Sequence, residues 1–365
     1  MNEVAIKFDH FQRASDKDCQ VKIRKFKNQL GSDLVILGHH YQNDSVYCHA
    51  DFTGDSLKLA QSVTTLNAKY IVFLGVHFMA EVANMLSRED QTTILPDLAA
   101  GCQMADMADL RKVERAYNEL NKILNFDEEI TPITYINSAA NLKAFCGNHN
   151  GIVCTSTNAP QILKWAFNQK PKVLFFPDQH LGRWTGYKMG IDLNKMKIWD
   201  PDQPSGGLTK DEIKDAKILL WKGHCAVHQM FREEHIHQFR QENKDGHVIS
   251  HPECPFEVSS NSDLVGSTEF ILNTIRNAKP GSKWLVGTEL NLVNRLANEM
   301  KDKDISVKFM SHIICECSTM ARIDSQHLSW VLENLSNNNV VNKIEVPQDI
   351  SKGAKLALNR MLDVC

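Results

Sequence analysis

Much that would narrow the class of this chain is scarce or missing. Eleven prolines and eighteen glycines in 365 residues are too few for a collagen-like or low-complexity protein. There is no excess of basic charge: 41 Lys and Arg stand against 44 Asp and Glu, for a net −3. Nucleic-acid binding of the electrostatic kind is therefore not expected. The opening segment MNEVAIKFDHFQR carries charges within its first ten residues and has no apolar core, unlike a secretory signal. The most apolar stretch, Tyr70 to Met85, is interrupted by His77 and Glu81 and is shorter than the ~20 residues of a membrane span. The expectation is a cytoplasmic protein with no membrane partner. No Cys-x-x-Cys occurs, which argues against a structural zinc ribbon or knuckle.

What is present is an ordinary soluble composition, 42% hydrophobic and 23% charged. The length suggests two or three domains of roughly 150 residues each. Cysteine is plentiful, at positions 19, 48, 102, 146, 154, 225, 254, 315, 317 and 365. In a reducing compartment these do not form a disulfide framework. They read as small buried hydrophobes with some metal ligands or reactive thiols among them.

Short aliphatic runs alternate with helical patterns, predicting an α/β fold with parallel sheets and α crossovers. The runs fall into three similar series. The first passes Leu34–Tyr41, Gly54–Ser56, Tyr70–Gly75 and Thr93–Asp97 and closes near Cys102. The second passes Ile133–Asn137, Val153–Ser156, Val173–Asp178 and Ile218–Trp221 and closes at Cys225. The third passes Val248–Glu253, Leu264–Thr268, Trp284–Glu289 and Val307–Met310 and closes around Cys315 and Cys317. The spacings agree: His39 to Ser56 is 17 residues, Asn137 to Ser156 is 19 and His251 to Ser267 is 16. The last leg is uneven, with Gly75 to Cys102 at 27, Asp178 to Cys225 at 47 and Gly287 to Cys317 at 30. Three copies of one α/β unit are expected. The boundaries fall at 1–115, 116–240 and 241–340, with 341–365 packing back on the core.

Ligands of parallel α/β sheets bind beyond the carboxyl ends of the strands. Three such ends aimed at a common centre would line one cavity with polar groups and cysteines. Ser56, Ser156 and Ser267-Thr268 each stand where a helix begins, a position that serves as an N-cap or as an anion site. His39 with Tyr41, and His251 with Glu253, are two apart on a strand and would share a face as proton-handling pairs. Tyr135 and Asn137 end the matching strand of the second series. Thiolates from Cys102, Cys225 and one of Cys315 or Cys317 would leave a metal or cluster with an open position. Spacing does not separate a four-iron cluster from a three-cysteine zinc site.

Eleven segments resemble the quinolinate synthase family of NAD biosynthesis, in family order from about residue 30 to the C-terminus. They are Gly38-His-His-Tyr41, Gly54-Asp-Ser56, Gly75-Val-His-Phe-Met-Ala-Glu81, Tyr135-Ile-Asn137, Cys154-Thr-Ser156, Pro177-Asp-Gln-His-Leu-Gly182, Gly223-His-Cys-Ala-Val-His228, His251-Pro-Glu253, Val265-Gly-Ser-Thr268, Cys317-Ser-Thr-Met320 and Asn359-Arg-Met-Leu362. The resemblance implies three similar α/β domains in a pseudo-threefold arrangement around one [4Fe–4S] cluster. It implies condensation of iminoaspartate with dihydroxyacetone phosphate to quinolinate, releasing phosphate and two waters, with an aspartate oxidase supplying the imine. Carried over by motif, the cluster ligands are Cys102, Cys225 and Cys317. The substrate-facing groups are His39, Tyr41, Ser56, Tyr135, Asn137, Ser156, His251, Glu253 and Thr268. Tyr41 and Glu253 are assigned as the acid–base pair, with His39 and His251 on substrate oxygens. Burial is expected to raise the Glu253 pKa towards neutrality. Against shorter members, Phe145 to Asn148 read as added length. A diphthamide-type radical enzyme shares the architecture, but Tyr135-Ile-Asn137 and His251-Pro-Glu253 favour the synthase. A non-catalytic iron–sulfur sensor would need no proton-transfer groups on two strand ends.

Overall fold

The computed structural model describes residues 5–313 and 316–364, so Cys315 lies outside the described residues. Thirteen strands form three sheets among them, and every pairing within a sheet is parallel. The chain divides into two compact units, Met1–Cys102 with Glu316–Val346, and Gln103–Cys315 with Pro347–Cys365.

The first unit carries β1 (Leu34–His39), β2 (Phe52–Gly54), β3 (Tyr70–Leu74) and β4 (Thr92–Ile94), ordered β2-β1-β3-β4. β1 and β3 are continuous aliphatic runs rather than alternating ones, because helices cover both faces of a parallel sheet. The chain returns to this sheet near its end. The Ile344 N–H donates to the Thr93 carbonyl at 2.9 Å, and Arg322 Nε lies 2.7 Å from Asp97 just past β4. The helix Ser325–Ser336 presents Leu328, Val331, Leu332 and Leu335 to the interior. It packs on the helix Asp16–Leu30, which Ser15 caps and which buries Cys19, Ile23 and Phe26.

The second unit holds two sheets. One comprises β5 (Ile130–Tyr135), β6 (Ile152–Cys154), β7 (Lys172–Phe176), β8 (Met196–Trp199) and β9 (Ile218–Trp221), ordered β6-β5-β7-β9-β8. The other comprises β10 (His247–Ser250), β11 (Leu264–Val265), β12 (Lys283–Gly287) and β13 (Ser306–Phe309), ordered β11-β10-β12-β13. All three sheets therefore share one order, with the first strand between the second and third and the fourth outside the third. β8 is the addition. It extends the second sheet at its edge and accounts for the long leg between Asp178 and Cys225.

Residues 145–148 form the last turn of the helix Ala140–Asn148, against which the C-terminal helix Gln348–Val364 packs. The two helices cross glycine on glycine: a Cβ on Gly147 would stand 1.9 Å from the Gly353 carbonyl oxygen. Arg360 fastens the same crossing, its Nη1 donating to the carbonyls of Gly147 at 3.3 Å and Gly151 at 2.6 Å. Gly147→Ala should lower the unfolding midpoint by the equivalent of about 1–3 kcal/mol, the usual range for overpacking a close contact. Denaturant titration checks this, and an unchanged midpoint would show that the helices separate without cost.

Candidate active site

The strand ends of the second unit converge on one carboxylate. Glu253 follows β10 in a turn, only 4% exposed, and three side chains from three loops surround it. The Tyr135 hydroxyl, at the end of β5, donates to its Oε1 at 2.6 Å. His228, fully buried in the loop after β9, places Nδ1 3.0 Å from its Oε2. His251 Nδ1 lies 3.9 Å from Oε1, and the His251 ring stacks on His228 with centroids 4.8 Å apart. Thr288, just past β12, brings its hydroxyl to 3.5 Å from His228 Nε2.

Neither His-x-(Tyr/Glu) pair lies wholly on a strand, because β1 ends at His39 and β10 at Ser250. A shared turn brings the partners together instead of strand alternation. The Tyr41 N–H donates to His39 Nδ1 at 3.2 Å, and the Glu253 N–H donates to His251 Nδ1 at 3.3 Å. The same local geometry thus recurs in two of the three repeats. In the first unit, His39 is buried and its ring meets Tyr41 edge-on at 4.7 Å.

The hydroxyl positions differ from the expectation of three equivalent helix caps. Ser56 and Thr268 are the first helical residues, and the capping groups are Asp55, accepting from the Lys58 N–H, and Ser267, accepting from the Phe270 N–H. Ser156 sits in a turn before the helix Ala159–Gln169, with Asn158 preceding that helix. Asp and Ser just ahead of each helix out-compete the next residue because a cap needs extended backbone. Ser156 instead lines a cavity of about 520 Å³ with Trp184, Thr185, Pro252, Gly266 and Phe270. Pro252 separates His251 from Glu253, so this cavity lies against the same turn, although His228, His251 and Glu253 do not line it. The buried Asn137 Oδ1 has no hydrogen-bond partner among the described residues.

Two residues here are not singled out by the sequence patterns. His228 stands in the segment around Cys225, and its place three residues past a cysteine is the signal the sequence offers for it. Asp178, past β7, is fully buried; its Oδ1 accepts from the Leu181 N–H at 2.7 Å and its Oδ2 meets no partner among the described residues.

The electrostatics correct the expected rise at Glu253. Burial does push its pKa upward, but His251, His228 and the Tyr135 hydrogen bond outweigh it and hold the carboxyl below its usual range. Asp178 is displaced the other way, raised by burial and then by the negative charge of Glu253. Burial lowers His251 to about 3 and His180 to about 4. The two buried carboxyls are thus displaced in opposite directions, Glu253 towards the ionised form and Asp178 towards the neutral one.

Eight cysteines among the described residues are in no disulfide. Cys19, Cys146, Cys154 and Cys254 are buried and Cys48 is exposed, while Cys102, Cys225 and Cys317 are half-buried. These three follow the last strand of each repeat: Cys102 eight residues past β4, Cys225 four past β9 and Cys317 eight past β13. Accessible thiols there suit a soft metal or an iron–sulfur cluster.

A carboxyl with a raised pKa gives stability that is present below its ordinary value of 3.8 and is lost as pH rises through its folded value. Asp178→Asn removes that loss. The variant should gain stability relative to wild type as pH rises above about 4, read from urea midpoints across pH. A variant that loses ground as pH rises would make Asp178 an ion that the fold favours.

Residues 21–363 match the family model described as Quinolinate synthetase A protein. A Herpetosiphon aurantiacus protein named quinolinate synthase is 51% identical over 352 residues, covering 96% of this chain and 93% of that protein. A Corynebacterium glutamicum protein of the same name is 50% identical over 357 residues, covering 98% and 90%. A Bacillus cereus protein of that name is 48% identical over 356 residues, covering 97% and 95%. With its three parallel α/β sheets and this likeness over nearly the whole chain, the protein belongs to the quinolinate synthase family of enzymes.

Proposed function

We propose that this chain condenses iminoaspartate with dihydroxyacetone phosphate to quinolinate, releasing phosphate and two waters. The observation that carries the reading is the buried Tyr135–Glu253–His228 contact at the strand ends, beside a half-buried cysteine. In this reading each sheet belongs to one of three similar domains in a pseudo-threefold arrangement. The enzyme works in the cytoplasm, with an aspartate oxidase supplying the imine.

Cys102, Cys225 and Cys317 would hold a [4Fe–4S] cluster. Cys317 is preferred over Cys315 because the interval from β13 to Cys317 equals that from β4 to Cys102. When bound, a cluster with three cysteine ligands supplies a Lewis-acidic iron with an open position for a leaving hydroxyl.

The remaining work belongs to the side chains. His39, Tyr135, Asn137 and His251 bind carboxylate and carbonyl oxygens. Ser56, Ser156 and Thr268 receive the phosphate and carboxylate groups, with Ser56 and Thr268 adding the N–H groups of a first helical turn. Glu253, held ionised by its neighbours, removes a proton, and Tyr41 is the second proton-exchanging group.

The direct test is turnover by anaerobically reconstituted protein with iminoaspartate generated in situ. Wild type should form quinolinate, and Cys102→Ala, Cys225→Ala and Cys317→Ala should each lose cluster absorption and turnover together. A cluster-free protein that still turns over would overturn the reading. Glu253→Gln should retain the cluster while cutting turnover by ~10²-fold or more, the size of a lost general base. Near-wild-type turnover in that variant would remove Glu253 from the chemistry.

A further inference from the structure

We propose that Cys225, His228 and Glu253 form a binding site for one divalent cation of the zinc type when the protein carries no cluster. The Cys225 Sγ, one ring nitrogen of His228 and one carboxylate oxygen of Glu253 all lie within 4.8 Å of one another. Nitrogen and oxygen ligands about 2.0–2.2 Å from a tetrahedral zinc stand about 3.3 Å apart, and a thiolate at about 2.3 Å stands slightly farther from both. The observed 3.0 Å between His228 Nδ1 and Glu253 Oε2 is already close to that spacing.

A second, independent feature is the support behind the ligand atoms. The far oxygen of Glu253 accepts from the Tyr135 hydroxyl at 2.6 Å, and the far nitrogen of His228 lies 3.5 Å from the Thr288 hydroxyl. With His228 Nδ1 and Glu253 Oε2 as the ligand atoms, the opposite atom of each lies against a hydroxyl, the arrangement that orients metal-bound imidazole and carboxylate. His251, stacked on His228, closes one side. Three protein ligands of sulfur, nitrogen and oxygen type leave a fourth position for water. On binding, Cys225 releases its thiol proton to solvent, whereas Glu253 is already ionised.

The consequence is competition. One thiolate cannot serve this cation and a cluster at once, so zinc occupancy would block cluster assembly. The site itself needs neither a cluster nor turnover, so it stands or falls separately from the activity proposed above.

Co2+ is the probe, titrated anaerobically into chelator-treated full-length protein. One equivalent per chain should give the visible bands of four-coordinate cobalt with a thiolate charge-transfer band, and Zn2+ should abolish both by displacement. Cys225→Ser should lose the charge-transfer band, and His228→Ala should bind far more weakly. Cys102→Ser and Cys317→Ser should bind as wild type does. Thr288→Val, which removes only the supporting hydroxyl, should weaken affinity by roughly tenfold or more. Circular dichroism confirms that each variant is folded. Loss of the thiolate band in Cys102→Ser or Cys317→Ser would overturn the proposal, as would undiminished binding by folded His228→Ala and Thr288→Val.

Discussion

Burial of the Glu253 carboxylate is the constraint on which the candidate site depends. An ion removed from water is tolerated only where opposite charge and hydrogen bonds replace its hydration. Here the replacements come from the loops after β5, β9 and β10, which belong to two sheets. Loss of any one partner would leave the buried charge less compensated, so the carboxylate ties the positions of Tyr135, His228 and His251 together. The ionisation of Glu253 and the placing of these loops are one fact seen twice.

The repeated sheet explains how such groups meet. A parallel strand order shared by all three sheets sends every first strand out at a carboxyl edge beside the second and third. At the end of β1 and just past the end of β10 stands a histidine whose Nδ1 accepts from the backbone N–H two residues on. That turn turns a side chain sharply off the strand, giving Tyr41 in one repeat and Glu253 in another. The chemistry diverges while the backbone device is retained. β8 extends one sheet at its far edge and leaves the strand ends unaltered.

Asp178 and Glu253 show how burial alone does not decide ionisation. Both are buried in one unit, yet one carboxyl is raised and the other lowered. The difference is in the neighbours. Glu253 faces two imidazoles and a phenol, whereas Asp178 has the backbone N–H groups of Leu181 and His180 and the charge of Arg183 to set against burial and the negative charge of Glu253. Burial and neighbours therefore displace two carboxyls of one unit in opposite directions.

The local rules of the chain determined the strands, their threefold series and the closing cysteines. Leu34–His39, Tyr70–Leu74 and Ile218–Trp221 are aliphatic runs that only a doubly covered sheet can bury. The polar groups His39, Tyr135 and His251 were legible because they interrupt such runs at their ends. The edge strand Met196–Trp199 was not legible, since Lys197 breaks its apolar pattern. Nor could spacing show that Asp55 rather than Ser56 caps a helix, because both residues suit a cap and backbone conformation chooses between them. The roles of His228 and Asp178, and the downward displacement of the Glu253 pKa, were decided only by tertiary structure. Each depends on groups from loops distant in sequence, His228 lying 25 residues before Glu253 and Tyr135 lying 118 before it. Electrostatic interaction falls off with distance through space and takes no account of distance along the chain.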